Sequence, residues 1–339
     1  SAGLAGAAQQ ALPQDTANTF LPLLATQGQP GVAAVPLETT LMPPKPATPI
    51  TQMLNEAVLG QLPFGDTEDF DDAARGLIVE LPNNGVIPSP DPTRPPVWNL
   101  PAYDFLEDET APPSVNPSLW RQAQLNLYNG LFEVVPGIYQ VRGIDVSNMT
   151  IIEGKKGILV IDPLVSIEAA RAALELYRQQ RGPRRVAAVI YTHSHVDHYG
   201  GVRGVVDEAD VQAGKVEILA PDHFLEKVCS ENVFAGTAMS RRSLYSYGTL
   251  MPRSIFGQID AGLGKAMSVG TVSLIPPTDT IFKTGERRKI DGVEILYTAD
   301  YLCALPPGAT PQDVRDLGRR LSDHGLGVAQ LTPYAKDFD

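Results

Sequence analysis

Three of the five histidines in this 339-residue chain fall within six positions, His193-Ser194-His195-Val196-Asp197-His198. Two flanking features fix where that hexapeptide can lie. Before it, Ala188-Val189-Ile190-Tyr191-Thr192 is apolar or β-favouring and reads as a buried strand. After it, Tyr199-Gly200-Gly201 lets the backbone turn sharply. The cluster therefore sits at a strand end, where sites commonly form. Neutral imidazole and carboxylate are ligands of catalytic zinc, and two ions held close together share one water, lower its pKa and clamp a developing anion. The spacing suits two metal ions on one loop, and that chemistry is hydrolytic. The alternative is a histidine-rich surface loop, and the concentration of histidine in one hexapeptide argues against it.

The rest of the composition narrows the class. A chain of this length holds two average domains, or one large domain with an arm. Asp plus Glu number 39 against 27 Lys plus Arg, a formal net charge of -12, which argues against a nucleic-acid partner. An anionic substrate would need local cations or metal to reverse that field. Cys229 and Cys303 match no zinc-site spacing and define no disulfide framework. No basic segment followed by an apolar run opens the chain, so no signal peptide is visible. No run reaches the roughly 18 to 20 apolar residues of a membrane span.

Along the chain, residues 1–60 are rich in Ala, Gly, Gln and Pro around Met42-Pro43-Pro44-Lys45-Pro46 and read as an extended arm. The acidic run Asp66 to Asp72 leads into a short helix ending near Gly76, and residues 82–97 read as loop. Asn116 or Ser118 caps a helix running to Leu127. Short β runs follow at Leu131–Val135, Ile138–Val141, Thr150–Glu153 and Ile158–Ile161. Ser166 then caps a helix over Ile167–Arg181 that Gly182-Pro183 stops. Further strands are expected at 186–191 and 216–220, and this alternation argues for α/β layering. Asp162 before Pro163 reads by itself as a turn residue. Arg241-Arg242 reads as a solvated basic pair, Glu231 and Asn232 as helix caps, the commoner fate, or as pocket-lining residues, and His223 and His324 as isolated histidines.

The hexapeptide, between a hydrophobic strand and Gly-Gly, resembles the H-x-H-x-D-H motif of the metallo-β-lactamase superfamily, whose fold is an αββα sandwich. Four further stretches, Val115 to Gln122, Gly137 to Gly143, Asp145 to Thr150 and Ser230 to Arg242, resemble the zinc-dependent alkylsulfatases that cleave dodecyl sulfate and related esters. The likeness runs from about Leu62 to Tyr297. It implies that His193 and His195 bind one zinc, Asp197 and His198 the other, and that Asp162 orients the loop from behind. It also implies that Asp197 and His198 stand at the reacting centre, with Arg241, Arg242 and Asn232 as possible contacts to substrate. The reaction implied is hydrolysis of alkyl sulfate esters by metal-activated water. The implied partner is a small amphiphilic sulfate ester, the implied assembly a homodimer, and the favoured compartment periplasmic or secreted.

The family's remaining ligands, including a glutamate in a Thr-Pro-Gly-Thr-Glu-Ala-Pro motif, would follow the strand ending at Tyr297. Here Tyr297 leads into Thr298-Ala299-Asp300-Tyr301. The sandwich, expected over residues 61–297, is therefore expected to be incomplete on its C-terminal side, with 298–339 a divergent tail in which Val314, Leu317 and Leu321 share a helical face. That tail reads as an alternative ending of the gene. Asp300 or Glu286 could complete the ligand set. Two other functions stay open, a metal-binding but inactive homologue and a hydrolase of another ester, thioester or lactone.

Overall fold

A computed structural model describes residues 45–296, apart from 109 and 284. The divergent tail, with Asp300, Cys303 and His324, and the first 44 residues lie outside them. The expected extended arm ends instead in a helix, α1 (Pro49–Gln61). Thr48 caps it by accepting the Thr51 N–H at 3.2 Å, and Pro49 takes the first turn, where no N–H is needed. Asn55 ties α1 to the Pro113 carbonyl at 2.9 Å. The Pro-rich stretch preceding Thr48 hides this start.

The acidic run forms α2 (Glu68–Ala74), with Glu68, Asp69 and Asp71 in the first turn, where the helix dipole favours them. Then come β1 (Leu77–Val79), the single turn α3 (Pro82–Gly85) with Asn83 and Asn84 left-handed, and a ribbon of β2 (Val86–Ile87) and β3 (Trp98–Asn99). The helix expected from residue 116 is α4 (Pro117–Leu125), with Asn116 accepting the Ser118 N–H. Its Trp120 and Ala123 pack with Tyr103, Leu106, Val115 and Ile259 in a satellite core.

Eight strands make the main sheet, in the order β1-β4-β5-β6-β7-β8-β9-β10. β4 (Gly130–Val135), β5 (Ile138–Arg142), β6 (Met149–Glu153) and β7 (Gly157–Ile161) form an antiparallel meander. After β7 the pairing becomes parallel, through β8 (Arg185–Ile190), β9 (Glu217–Pro221) and β10 (Asp279–Ile281). The change follows from the crossover helix α5 (Ile167–Arg181), since parallel neighbours need a long connection. Ser166 accepts the Ala169 N–H, and Gly182, at φ 89°, ends the helix.

Alternation along the strands gives the sheet two apolar faces. On one, α5 lays Ala170, Ala173, Leu174 and Tyr177 against Tyr139, Ile151, Ile158, Val160, Val189 and Ile218. On the other, Leu159, Ala188 and Leu219 are buried beneath Ile281 and Ile290. Val293 and Ile295 join that second core from the hairpin of β11 (Arg287–Ile290) and β12 (Val293–Leu296). The β11–β12 hairpin thus covers part of this far face. Three short helices, α6 (Glu208–Gln212), α7 (Phe224–Cys229) and α8 (Gly236–Tyr247), complete the described chain. Because β7, β8 and β9 run parallel, their carboxyl ends lie at one edge, where open α/β sheets place ligands. Asp162 follows β7, and Thr192 to His198 follow β8.

Candidate metal centre

Asp162 is where the sheet edge becomes a site. Its backbone is left-handed at φ 55°, a conformation Asp tolerates better than most residues. Oδ1 accepts the Thr192 N–H at 2.8 Å, and Oδ2 accepts the Thr192 hydroxyl at 2.7 Å. The same Oδ2 takes the His198 Nδ1 proton at 2.8 Å. One carboxylate thereby bolts the end of β7 to both ends of the histidine loop.

The proton positions on two rings follow. Thr192 has a single hydroxyl proton, and it is committed to Asp162, so at 3.0 Å from His193 Nδ1 the hydroxyl accepts. His193 then carries its proton on Nδ1 and its lone pair on Nε2. Burial, followed by the charges of His198 and His195, pushes the His193 imidazole down to about 4, which keeps it neutral and able to donate to a metal. His198 Nε2 lies 3.1 Å from Asp197 Oδ2. Burial opposes a charged His198, but hydrogen bonds and charge from Asp162 and Asp197 outweigh it and raise the ring to about 10. Burial likewise opposes ionisation of Asp197, and His198 outweighs it, holding that carboxyl below its usual range. A cation at His198 Nε2 has to displace a tightly held proton.

The donors meet in two pairs. His193 Nε2 and His195 Nδ1 lie 3.1 Å apart, and so do His198 Nε2 and Asp197 Oδ2. Two ligands of one tetrahedral zinc, each about 2.0 to 2.1 Å from the metal, stand about 3.3 Å apart. Each pair therefore has the spacing of two ligands on one metal ion. The rings of His193 and His198 are 4.0 Å apart between centroids, so the pairs adjoin. Among the described residues no group of three or more His, Cys, Asp or Glu side chains is set to hold one ion.

The loop is supported from beneath. Ser147 donates its hydroxyl to the Asp197 carbonyl at 2.6 Å. Nearby, Asp145 accepts the N–H groups of Val146, Val165 and Ser268 together with the Ser268 hydroxyl. Burial still pushes that carboxyl up to about 6. Gly200 and Gly201 are required by close approach, since a Cβ on Gly201 would lie 2.1 Å from the Pro163 carbonyl oxygen. Gly201→Ala is expected to cost about 3 kcal/mol of stability. A control at Gly60, where nothing lies within 4 Å, should raise the urea midpoint slightly, because alanine favours helix. Equal midpoints in the two variants would refute the packing argument.

The other expected site residues, Glu231 aside, make no hydrogen bond or ion pair with the loop among the described residues. Asn232, a possible substrate contact, turns its amide into its own helix, donating to the Val228 carbonyl at 3.0 Å. Arg241 and Arg242 are exposed on α8 and make no ion pair among the described residues. Glu286 pairs with Arg288 at 3.3 Å and accepts the Phe282 N–H. His223 is exposed between Asp222 and Glu226. Glu231, read as a helix cap or a pocket-lining residue, accepts the Ser194 hydroxyl at 3.0 Å and stands 4.0 Å from His195 Nε2. Only its place on the turn after α7 brings it there, and no sequence periodicity marks that turn.

The sequence profile of the metallo-beta-lactamase superfamily matches residues 142–315, and the chain belongs to that superfamily. Within it, the chain is 57% identical over 256 residues to a linear primary-alkylsulfatase of a Pseudomonas species, covering 75% of this chain and 38% of that protein. It is 50% identical over 276 residues to an (R)-specific secondary-alkylsulfatase, also from Pseudomonas, covering 81% and 40%. The solved stereoselective inverting sec-alkylsulfatase Pisa1 from Pseudomonas superposes with a TM-score of 0.70 at 51% identity, over 74% of this chain and 39% of that one. The chain thus spans about two fifths of the length of these relatives. No helix among the described residues is long and apolar enough to cross a membrane.

Proposed function

We propose that this chain carries the metal centre of a zinc-dependent hydrolase of alkyl sulfate esters. The observation that carries the metal reading is the pairing of donor atoms at 3.1 Å on one loop, His193 with His195 and Asp197 with His198. The substrate class rests on relatives named for alkyl sulfates. Zinc, if bound at this loop, would supply a Lewis acid that acidifies water and offsets sulfate charge in a protein whose net charge is -12. The chain's own residues do the rest. Asp162 holds a proton on Nδ1 of His193 through Thr192 and of His198 directly, so His193 offers Nε2 and His198 would offer it once its second proton is displaced. Asp197, ionised beside His198, is placed to accept a proton as well as to bind.

The substrate class is tested by presenting the zinc-loaded chain with dodecyl sulfate, a β-lactam, a lactone and a thioester. Release of sulfate without turnover of the others is expected, and turnover of any other ester with none of dodecyl sulfate overturns it. A second reading, a metal-binding protein without turnover, draws on the two-donor pairs, since catalytic zinc commonly has three protein ligands. Bound zinc with no sulfate released would favour it.

A further inference from the structure

We propose that the arginine-lined cleft where α5 meets the start of β8 is a binding site for a tetrahedral dianion, sulfate or phosphate, at the sheet edge opposite the metal loop. Its walls follow from the turn between the two elements. Gly182, at φ 89°, ends α5, and Pro183 sends the chain on into β8. Arg178 from the helix, and Arg184 and Arg185 from the start of the strand, then line one cavity of about 480 Å³ together with Glu175 and Gln179. β8 runs from Arg185 to Ile190 before the loop of residues 192–198 begins, a separation of roughly 20 Å along the strand.

The charges around this cleft do not cancel. Arg178, Arg181, Arg184 and Arg185 stand against two carboxylates, Glu153 and Glu175, which leaves two positive charges over. Glu153 is shared by Arg181 at 3.1 Å and Arg184 at 3.8 Å, and Glu175 accepts the Gln179 amide at 3.3 Å. Asp291, whose charge Arg185 also feels, accepts the backbone N–H groups of Lys156 and Gly157 and is offset by the Lys156 ammonium. Arg178 and Arg185 have no carboxylate within 4.0 Å among the described residues. Each donates one N–H to a carbonyl instead, Arg178 to Arg184 at 3.3 Å and Arg185 to Lys215 at 3.5 Å. The Arg178 Nε is buried without a hydrogen-bond partner. A buried donor left unsatisfied is costly, so this side chain gains by turning that N–H to an acceptor in the cleft. The dipole at the end of α5 accounts for Arg178 and Arg181 in its last turn, but not for Arg184 and Arg185 beyond it. Guanidinium forks match tetrahedral oxyanions through paired hydrogen bonds. Two surplus charges match a dianion, even in a protein whose net charge is -12.

The test titrates sulfate, and separately phosphate, into the full chain labelled with 15N-arginine, at an ionic strength held constant with chloride. The Arg178 Nε–H signal, assigned by its absence in Arg178→Gln, is expected to move saturably with a dissociation constant of about 1 mM or tighter. Because this signal reports the cleft itself, an anion held at the metal loop does not mimic the result. Arg178→Gln combined with Arg185→Gln, followed through the Arg184 signal, should bind at least about 10-fold more weakly. Arg94→Gln, which removes an exposed arginine elsewhere, should bind as wild type does. Tighter binding of sulfate would point to the product of the proposed hydrolysis, and tighter binding of phosphate to a ligand from outside it; both support the site. A signal unmoved at about 10 mM of either dianion overturns the proposal. So does an equal shift with chloride, or an affinity unchanged in the double variant.

Discussion

His198→Ala is expected to lower bound zinc from two ions to one per chain and to cut sulfate release from dodecyl sulfate by about 10³-fold, several kcal/mol of lost transition-state stabilisation. The ring is the only partner that brings Asp197 Oδ2 into a donor pair, at 3.1 Å. Without it Asp197 is a lone carboxylate, and one donor does not retain an ion. Asp162 keeps its two bonds from Thr192, so the His193 and His195 pair should still hold its metal. Elemental analysis of the purified variant beside wild type checks the count. Two ions retained would show that His198 is not a ligand, and none would show that the pairs are not independent.

Asp162→Ala should act on both pairs at once. It removes the acceptor for the Thr192 N–H, the Thr192 hydroxyl and the His198 Nδ1 proton, and it places alanine at a left-handed φ of 55°. The lost hydrogen bonds and the uncompensated His198 should cost about 2 to 4 kcal/mol, and the backbone about 1 more. Freed from Asp162, the Thr192 hydroxyl can donate to His193 Nδ1, which moves that ring's proton to Nε2 and blocks the first pair. Zinc affinity is therefore expected to fall about 10- to 100-fold at each site. Chelator competition and urea unfolding on one preparation measure the two effects. Weakening confined to one ion would contradict the relay through Thr192.

What could be read in advance was whatever leaves a local mark. The hexapeptide declares itself because three imidazoles crowd one turn. Helix α5 was legible to its ends because Ser166 caps it and Gly182 stops it. Asp162 shows how a local reading can be right and insufficient: it is a turn residue, with the left-handed backbone that implies, and its carboxylate also governs two histidine protons. Only the resemblance hinted at the second role. Contacts formed between distant elements left no such mark. The Asp145 carboxylate draws in Val165 and Ser268, Ser147 reaches the Asp197 carbonyl, and Glu231 arrives on a helical irregularity. Asn232, beside it in sequence, turns the other way, into α7. Nothing in the order of residues shows the β11–β12 hairpin folding back over Leu159, Ala188 and Leu219.

If residues 193–198 hold two zinc ions for the proposed hydrolysis of alkyl sulfates, metal content and activity must go together. Zinc counted by elemental analysis, on the same purified 339-residue sample assayed for sulfate release from dodecyl sulfate, tests it most directly. Two ions per chain with sulfate release that a chelator stops and added zinc restores is the result predicted. Two ions with no sulfate released, or release that persists after zinc is stripped away, would contradict it.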